Sequence, residues 1–168
     1  METRLRIVVI QHSLELKERS NTAKHALALL KNSEQRLFGV RDVPLKVDDL
    51  SDAWLLWPDA PSRPEGKPST LVVLDGSWSQ TRRMIQRIPQ LRKLPRYSVN
   101  PKPGRRSLRA APEGGMSTLE ALAGALHELE SAEAGAQLDA LHEELISQQL
   151  RDRGYVGKTP SPTGRGRG

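Results

Sequence analysis

Asp75 stands where an apolar run, Thr70 to Leu74, breaks at Gly76. A glycine lets the backbone turn sharply at the end of a buried strand and would bring the carboxylate to the rim of a sheet, a suitable place for a general base. On local sequence alone Asp is more often an N-cap or Asx-turn residue, here for the helix expected from about Ser79, and Ser77 has the same two readings. Trp78 is either a core aromatic or a platform for a nucleobase, in a chain with only 4% aromatic residues.

Ser117-Thr118-Leu119-Glu120 fits a capping box, in which the serine side chain accepts from the amide three residues on and the glutamate reaches back. The preceding Pro112-Glu113-Gly114-Gly115-Met116 delivers a Gly-rich turn to the same helix head. Free amides and the positive end of the helix dipole favour a carboxylate there, that of a cofactor included. His12, His25, His127 and His142 show no H-E-x-x-H or other ligand spacing. The last three lie on expected helices, so all are read as satisfied surface or half-buried side chains, and no metal is assigned.

Charge is distributed unevenly. From Arg82 to Arg109 there are ten Lys or Arg and no acid, whereas Glu113 to Asp152 holds nine acids and one Arg. The basic block reads either as a solvated face or as a binding strip for a polyanion. Pro89, Pro95, Pro101 and Pro103 interrupt it, so it must run from helix to extended chain to loop, a shape that can follow a phosphate backbone.

These residues need a scaffold, and the apolar pattern supplies one. Leu5 to Ile10 reads as a buried strand, followed by a helix capped by Ser20 or Asn21 and running through Lys31. Residues 36 to 40 form a short second strand, and Ala53 to Trp57 and Thr70 to Leu74 are central-strand candidates. A helix from about Ser79 to Ile88, an extended piece at Arg96 to Val99 and helices over roughly Ser117 to Glu130 and Ala136 to Arg153 complete the pattern. Alternating strands and helices imply an α/β fold, a mainly parallel sheet with helices on both faces, in which ligands bind beyond the carboxyl ends of the strands.

The 168 residues, 36% hydrophobic and 27% charged, suffice for one domain, expected over 1–156. Residues 157–168, rich in Gly, Pro and basic side chains, lack apolar periodicity and are expected to be disordered. From Arg151 onward the chain contributes +4 of the net +6. The absence of cysteine excludes disulfides and thiolate chemistry. No apolar stretch reaches the roughly 20 residues of a membrane span and no signal-peptide pattern opens the chain, so a cytoplasmic protein is expected. Neither G-x-G-x-x-G nor G-x-x-x-x-G-K-[ST] occurs, which argues against the common dinucleotide and P-loop sites.

The motifs form an ordered set: Gln11-His12 with Glu15, Ser20-Asn21-Thr22, Leu55-Leu56-Trp57-Pro58, Leu74-Asp75-Gly76-Ser77-Trp78 followed by Arg82-Arg83-Met84, Ser107-Leu108-Arg109, and Pro112 through Ala121. From about Ile7 to Leu126 this set resembles the DTW-domain family, the tRNA-uridine aminocarboxypropyltransferases. Ser77 stands where the family signature has Thr, keeping the hydroxyl, and the cysteine cluster of many members has no counterpart in this sequence. The resemblance implies a SPOUT-like fold with a knotted carboxyl-terminal part, S-adenosylmethionine as cofactor, and transfer of its 3-amino-3-carboxypropyl group to N3 of a tRNA uridine. It implies Asp75 as the base, and Asn21, Leu56, Pro58, Leu74, Gly76, Ser77, Trp78, Leu108, Arg109, Ser117 and Thr118 as cofactor residues. Arg82, Arg83, Arg105 and Arg106 would meet the RNA. RNA methylation on the same kind of fold, or RNA binding without catalysis, are the alternatives.

Overall fold

The computed structural model describes residues 1–14, 22–100 and 116–154. Five strands, β1 (Arg6–His12), β2 (Ser33–Phe38), β3 (Trp54–Leu56), β4 (Thr70–Asp75) and β5 (Arg96–Tyr97), form one sheet in the order β2-β1-β4-β3-β5. Every pairing is parallel. The strands of the middle read as unbroken apolar runs because both faces are covered. Ile7, Val9, Leu71, Val73, Trp54 and Leu56 pack on one side, with the helices α1 (Ala23–Leu29), α4 (Thr118–Leu129) and α5 (Ala132–Asp152). Val8, Ile10, Val72 and Leu55 pack on the other, with α2 (Trp78–Arg87), α3 (Pro89–Arg92) and a 3-10 turn at Asp48–Leu50.

The α/β class and the strand positions agree with the sequence reading, while several boundaries move. β2 begins at Ser33 rather than 36, because this edge strand is polar, SEQRLF, and shows no apolar run to mark its start. α1 ends at Leu29, and Thr22 occupies its N-cap without a side-chain bond. Ser20 and Asn21, expected as the cap, lie outside the described residues. α5 starts four residues before the expected Ala136 because Ser131 caps it, accepting from the Ala134 amide. Gly135 is buried in its first turn: a Cβ there would lie 2.3 Å from the His127 ring, so only glycine lets α4 and α5 approach this closely. Pro89 does not simply end α2 but opens α3, at the first helical position where its missing N–H costs nothing.

The 101–115 stretch, with any knot it would trace, and residues 155–168, with the expected tail, lie outside the described residues. Among the described residues no helix is long and apolar enough to cross a membrane.

Candidate active site

β1 leads to an edge strand on one side of the sheet, whereas β4 leads through α2 and α3 to β5 on the other. Between neighbours whose connections diverge in this way a crevice opens at the carboxyl ends. Gln11 of β1 and Asp75 of β4 are register partners at that point. Alternation along the strands sets their direction: Gln11 follows Ile7 and Val9, and Asp75 follows Leu71 and Val73, toward the face covered by α1, α4 and α5.

The Asp75 side chain is 8% exposed and is engaged at both oxygens. Oδ2 accepts from Gln11 Nε2 at 2.8 Å and Oδ1 from the Thr118 hydroxyl at 2.7 Å. Gln11, fully buried, in turn accepts at Oε1 from Gln35 Nε2 of β2. A polar chain thus crosses β2, β1 and β4 and ends on the first residue of α4. Each Asp75 oxygen retains a second lone pair, so the carboxylate is fixed in direction and can still receive a proton. The cap or Asx-turn reading of Asp75 is overturned, because its carboxylate is spent on Gln11 and Thr118 rather than on α2.

Ser77 is the α2 cap, and its capping box closes fully. Its side chain accepts from the Gln80 amide, and Gln80 Oε1 accepts from the Ser77 amide at 2.8 Å. Gly76 makes room for this fold-back, since a Cβ there would lie 2.9 Å from Gln80 Oε1. The expected box at α4 forms only by half. Ser117 accepts from the Glu120 amide at 3.2 Å, but Glu120 turns inward and lies 3.1 Å from His142 Nε2 of α5, at ion-pair distance yet off the line of a hydrogen bond. Glu120 therefore does not cover the Ser117 amide. The amides of Ser117, Thr118 and Leu119 precede the first intrahelical bond, made by Ala121 to the Ser117 carbonyl, and head the helix beside Asp75. His142 is fully buried, against the expectation of a surface or half-buried side chain, because its helix face packs inside the α4–α5 contact, where Glu120 is its neighbour. His12 is buried too, packed at 5.6 Å against the Phe38 ring, with Nδ1 accepting from the Leu14 amide at 3.3 Å.

Trp78 is not a core aromatic: it is 54% exposed at the head of α2. Its ring leans on Trp57, centroids 5.3 Å apart, and Arg96 lies over the Trp57 ring at 5.1 Å. Leu56 is buried on the Asp75 side of the sheet, Leu74 packs toward α2, and Pro58 is exposed at the end of β3. Arg82 and Arg83 are exposed on α2. Of the expected site residues, then, Asp75, Thr118 and Ser117 meet on one side of the crevice, and Gly76, Ser77 and Trp78 continue from it. Asn21, Arg105, Arg106, Leu108 and Arg109 lie outside the described residues.

Gln11 belongs to one of the motifs, but the sequence alone assigns it no role. The signal was its parity with Ile7 and Val9, which a buried amide shares only when it has a polar partner on the same face. A cavity of about 360 Å³ lies elsewhere, between the end of β2 and the α2–α3 junction, and none of the expected site residues line it. Among the described residues no group of three or more His, Asp and Glu side chains is placed to hold a metal ion. In comparison with known proteins, the family model of the DTW domain matches residues 1–150. No curated protein and no solved structure matches the chain.

Proposed function

The chain belongs to the DTW-domain family, and on that premise we propose that it transfers the 3-amino-3-carboxypropyl group of S-adenosylmethionine to N3 of a uridine in tRNA. Membership is consistent with a tRNA-modifying transferase; the group transferred, the cofactor and the atom modified belong to this proposal. The observation that carries it is the Asp75 carboxylate, buried at the β1–β4 crevice, held at both oxygens and adjoining an α4 head that its own glutamate leaves uncovered.

The donor set fits the amino-acid end of such a cofactor. The Ser117, Thr118 and Leu119 amides would hold its carboxylate, as helix heads hold anions, and Leu56 would supply apolar contact. When bound, S-adenosylmethionine supplies a γ-carbon made electrophilic by the sulfonium, so that attack by uridine N3 forms the N–C bond, breaks the C–S bond and releases methylthioadenosine. Asp75 takes the N3 proton and passes it to solvent. Gln11 and Thr118 keep the carboxylate aimed, which matters because a sulfonium can lose a methyl group instead and positioning selects the carbon attacked.

The test incubates tRNA with cofactor labelled separately in its methyl and carboxypropyl groups, followed by mass spectrometry of the nucleosides. Carboxypropyl label on uridine is expected, and methyl label alone would replace this reading with methylation. Asp75→Asn should keep cofactor affinity and lower turnover by about a hundredfold or more, the scale for losing an acid–base group. Turnover near wild type would remove Asp75 from the chemistry.

A further inference from the structure

From Trp78 to Asn100 the chain carries six cations, Arg82, Arg83, Arg87, Arg92, Lys93 and Arg96, and no acid. α2 is amphipathic in the helical sense: Thr81, Met84 and Ile85 are buried, which turns Arg82, Arg83, Gln86 and Arg87 to solvent. Arg4, Arg6, Lys31, Arg36 and Arg63 each face a carboxylate. None of the six does so among the described residues. Arg92 donates to the Gln86 carbonyl at 2.7 Å, Arg96 lies over Trp57, and Arg82 lies 6.0 Å from the Trp78 centroid. A helix face whose charges are all of one sign repels itself and attracts a polyanion, although Asp48 lines the cavity that Arg87 borders at the far end of α2.

At the head of this face stands Trp78, exposed yet braced from beneath by Trp57 and only three residues past Asp75. A braced indole beside arginines is the combination that holds single-stranded nucleic acid, the ring stacking a base while the cations follow the backbone. Arg83 and Arg87 are one helical turn apart, about 6 Å along the axis, close to the step between successive phosphates of an extended strand.

We propose that the exposed face of α2 docks a single-stranded segment of the RNA substrate, with a nucleobase stacked on Trp78 and phosphates on Arg82, Arg83 and Arg87. The inference rests on reading the chain as an enzyme of tRNA. An anionic membrane is the poorer match, because an interfacial helix turns its apolar side outward, and here Met84 and Ile85 face the core.

The experiment uses the full chain, decauridylate and bulk tRNA. Trp54 is buried and Trp57 half-buried, so quenching of indole fluorescence by decauridylate should come from Trp78. Trp78→Phe should retain affinity within about threefold and lose most of the quench, whereas Trp78→Ala should weaken binding roughly ten- to a hundredfold. Reversing Arg83 and Arg87 to Glu should weaken tRNA binding and lower the log–log salt slope by about 0.7 for each lost contact with a single strand. The proposal is overturned by a double variant with wild-type affinity and slope. It is equally overturned if Trp78→Ala weakens S-adenosylmethionine but not decauridylate, which would put the ring on the cofactor. Phosphatidylserine vesicles that lose binding to the double variant while tRNA does not would assign the face to a membrane. Product formation with unchanged tRNA binding by the double variant would refute this surface and leave the reaction standing. Lost tRNA binding in a protein whose wild type forms no carboxypropyl product would do the reverse.

Discussion

Replacing Gln11 by leucine and, separately, Thr118 by valine removes the two donors to Asp75 one at a time, and their surroundings predict unequal losses. Gln11 is fully buried, so no water can take its place at Oδ2. A hydrogen bond to a charged group contributes about 1.5–3 kcal/mol, and leaving a buried oxygen without a donor adds about 1–3. The Gln35 amide, on an exposed side chain, rehydrates without penalty. Leucine returns part of the loss as apolar burial, so Gln11→Leu should cost about 2–4 kcal/mol. Thr118 is only half-buried, and water can replace its hydroxyl at Oδ1, which limits Thr118→Val to about 0.5–1.5 kcal/mol. Urea unfolding at pH 7, with m checked for constancy, measures both. Turnover should follow the same order, with Gln11→Leu slower by at least about tenfold, since small displacements of a reacting group are expensive. Equal losses for the two variants, or a Gln11→Leu protein within about 0.5 kcal/mol of wild type, would refute the idea that the polar chain across the sheet holds the base.

Gly135→Ala should destabilise by about 2 kcal/mol or more, because its Cβ would meet a His127 ring that is tied to Asp139 at 2.7 Å. Gly124→Ala meets only the Val99 side chain, which can rotate, and thermal unfolding should show it distinctly milder; equal costs would refute the tethered-ring argument. Arg36 and Arg6 hold the Asp49 carboxyl well below the usual carboxylate range. With the folded value depressed, the stabilisation is whole above the ordinary value and lost as pH falls through the folded one. The stability gap between wild type and Asp49→Asn should therefore stay level from about pH 7 to 5 and narrow below about pH 4; a gap that widened on acidification would contradict it. Ser117→Ala should lower stability by about 1 kcal/mol and weaken calorimetric affinity for S-adenosylmethionine beyond that loss, and unchanged affinity would leave Ser117 as a cap alone.

The sequence exposes what depends on local pattern. The run Thr70 to Leu74 with Gly76 behind it places Asp75 at a strand end, and the structure puts it there, because a buried strand interrupted by glycine has few other outcomes. What Asp75 touches is a matter of register. Nothing local says that β1 and β4 are neighbours, or that Gln11 lies opposite Asp75 rather than one residue away, where it would point to the other face. The start of β2 is hidden for a different reason: an edge strand with charged side chains carries no apolar alternation to mark where it begins. Trp78 departs from the core reading because a distant partner, the Trp57 ring, supports it at the surface.

The two helix heads near the crevice show how a distant partner gives one local signature two outcomes. Ser77-x-x-Gln80 and Ser117-x-x-Glu120 have the same pattern and the same serine cap. At α2 the glutamine returns to the cap amide and closes the head. At α4 the glutamate instead turns inward, to within 3.1 Å of Nε2 of the fully buried His142 one helix away. α5, remote in sequence from Asp75, thus takes part in the surroundings of the glutamate that would otherwise return to the α4 cap. The α4–α5 hairpin therefore does two things at once: it covers the sheet, and through Thr118 and the α4 cap it reaches the carboxylate at the end of β4.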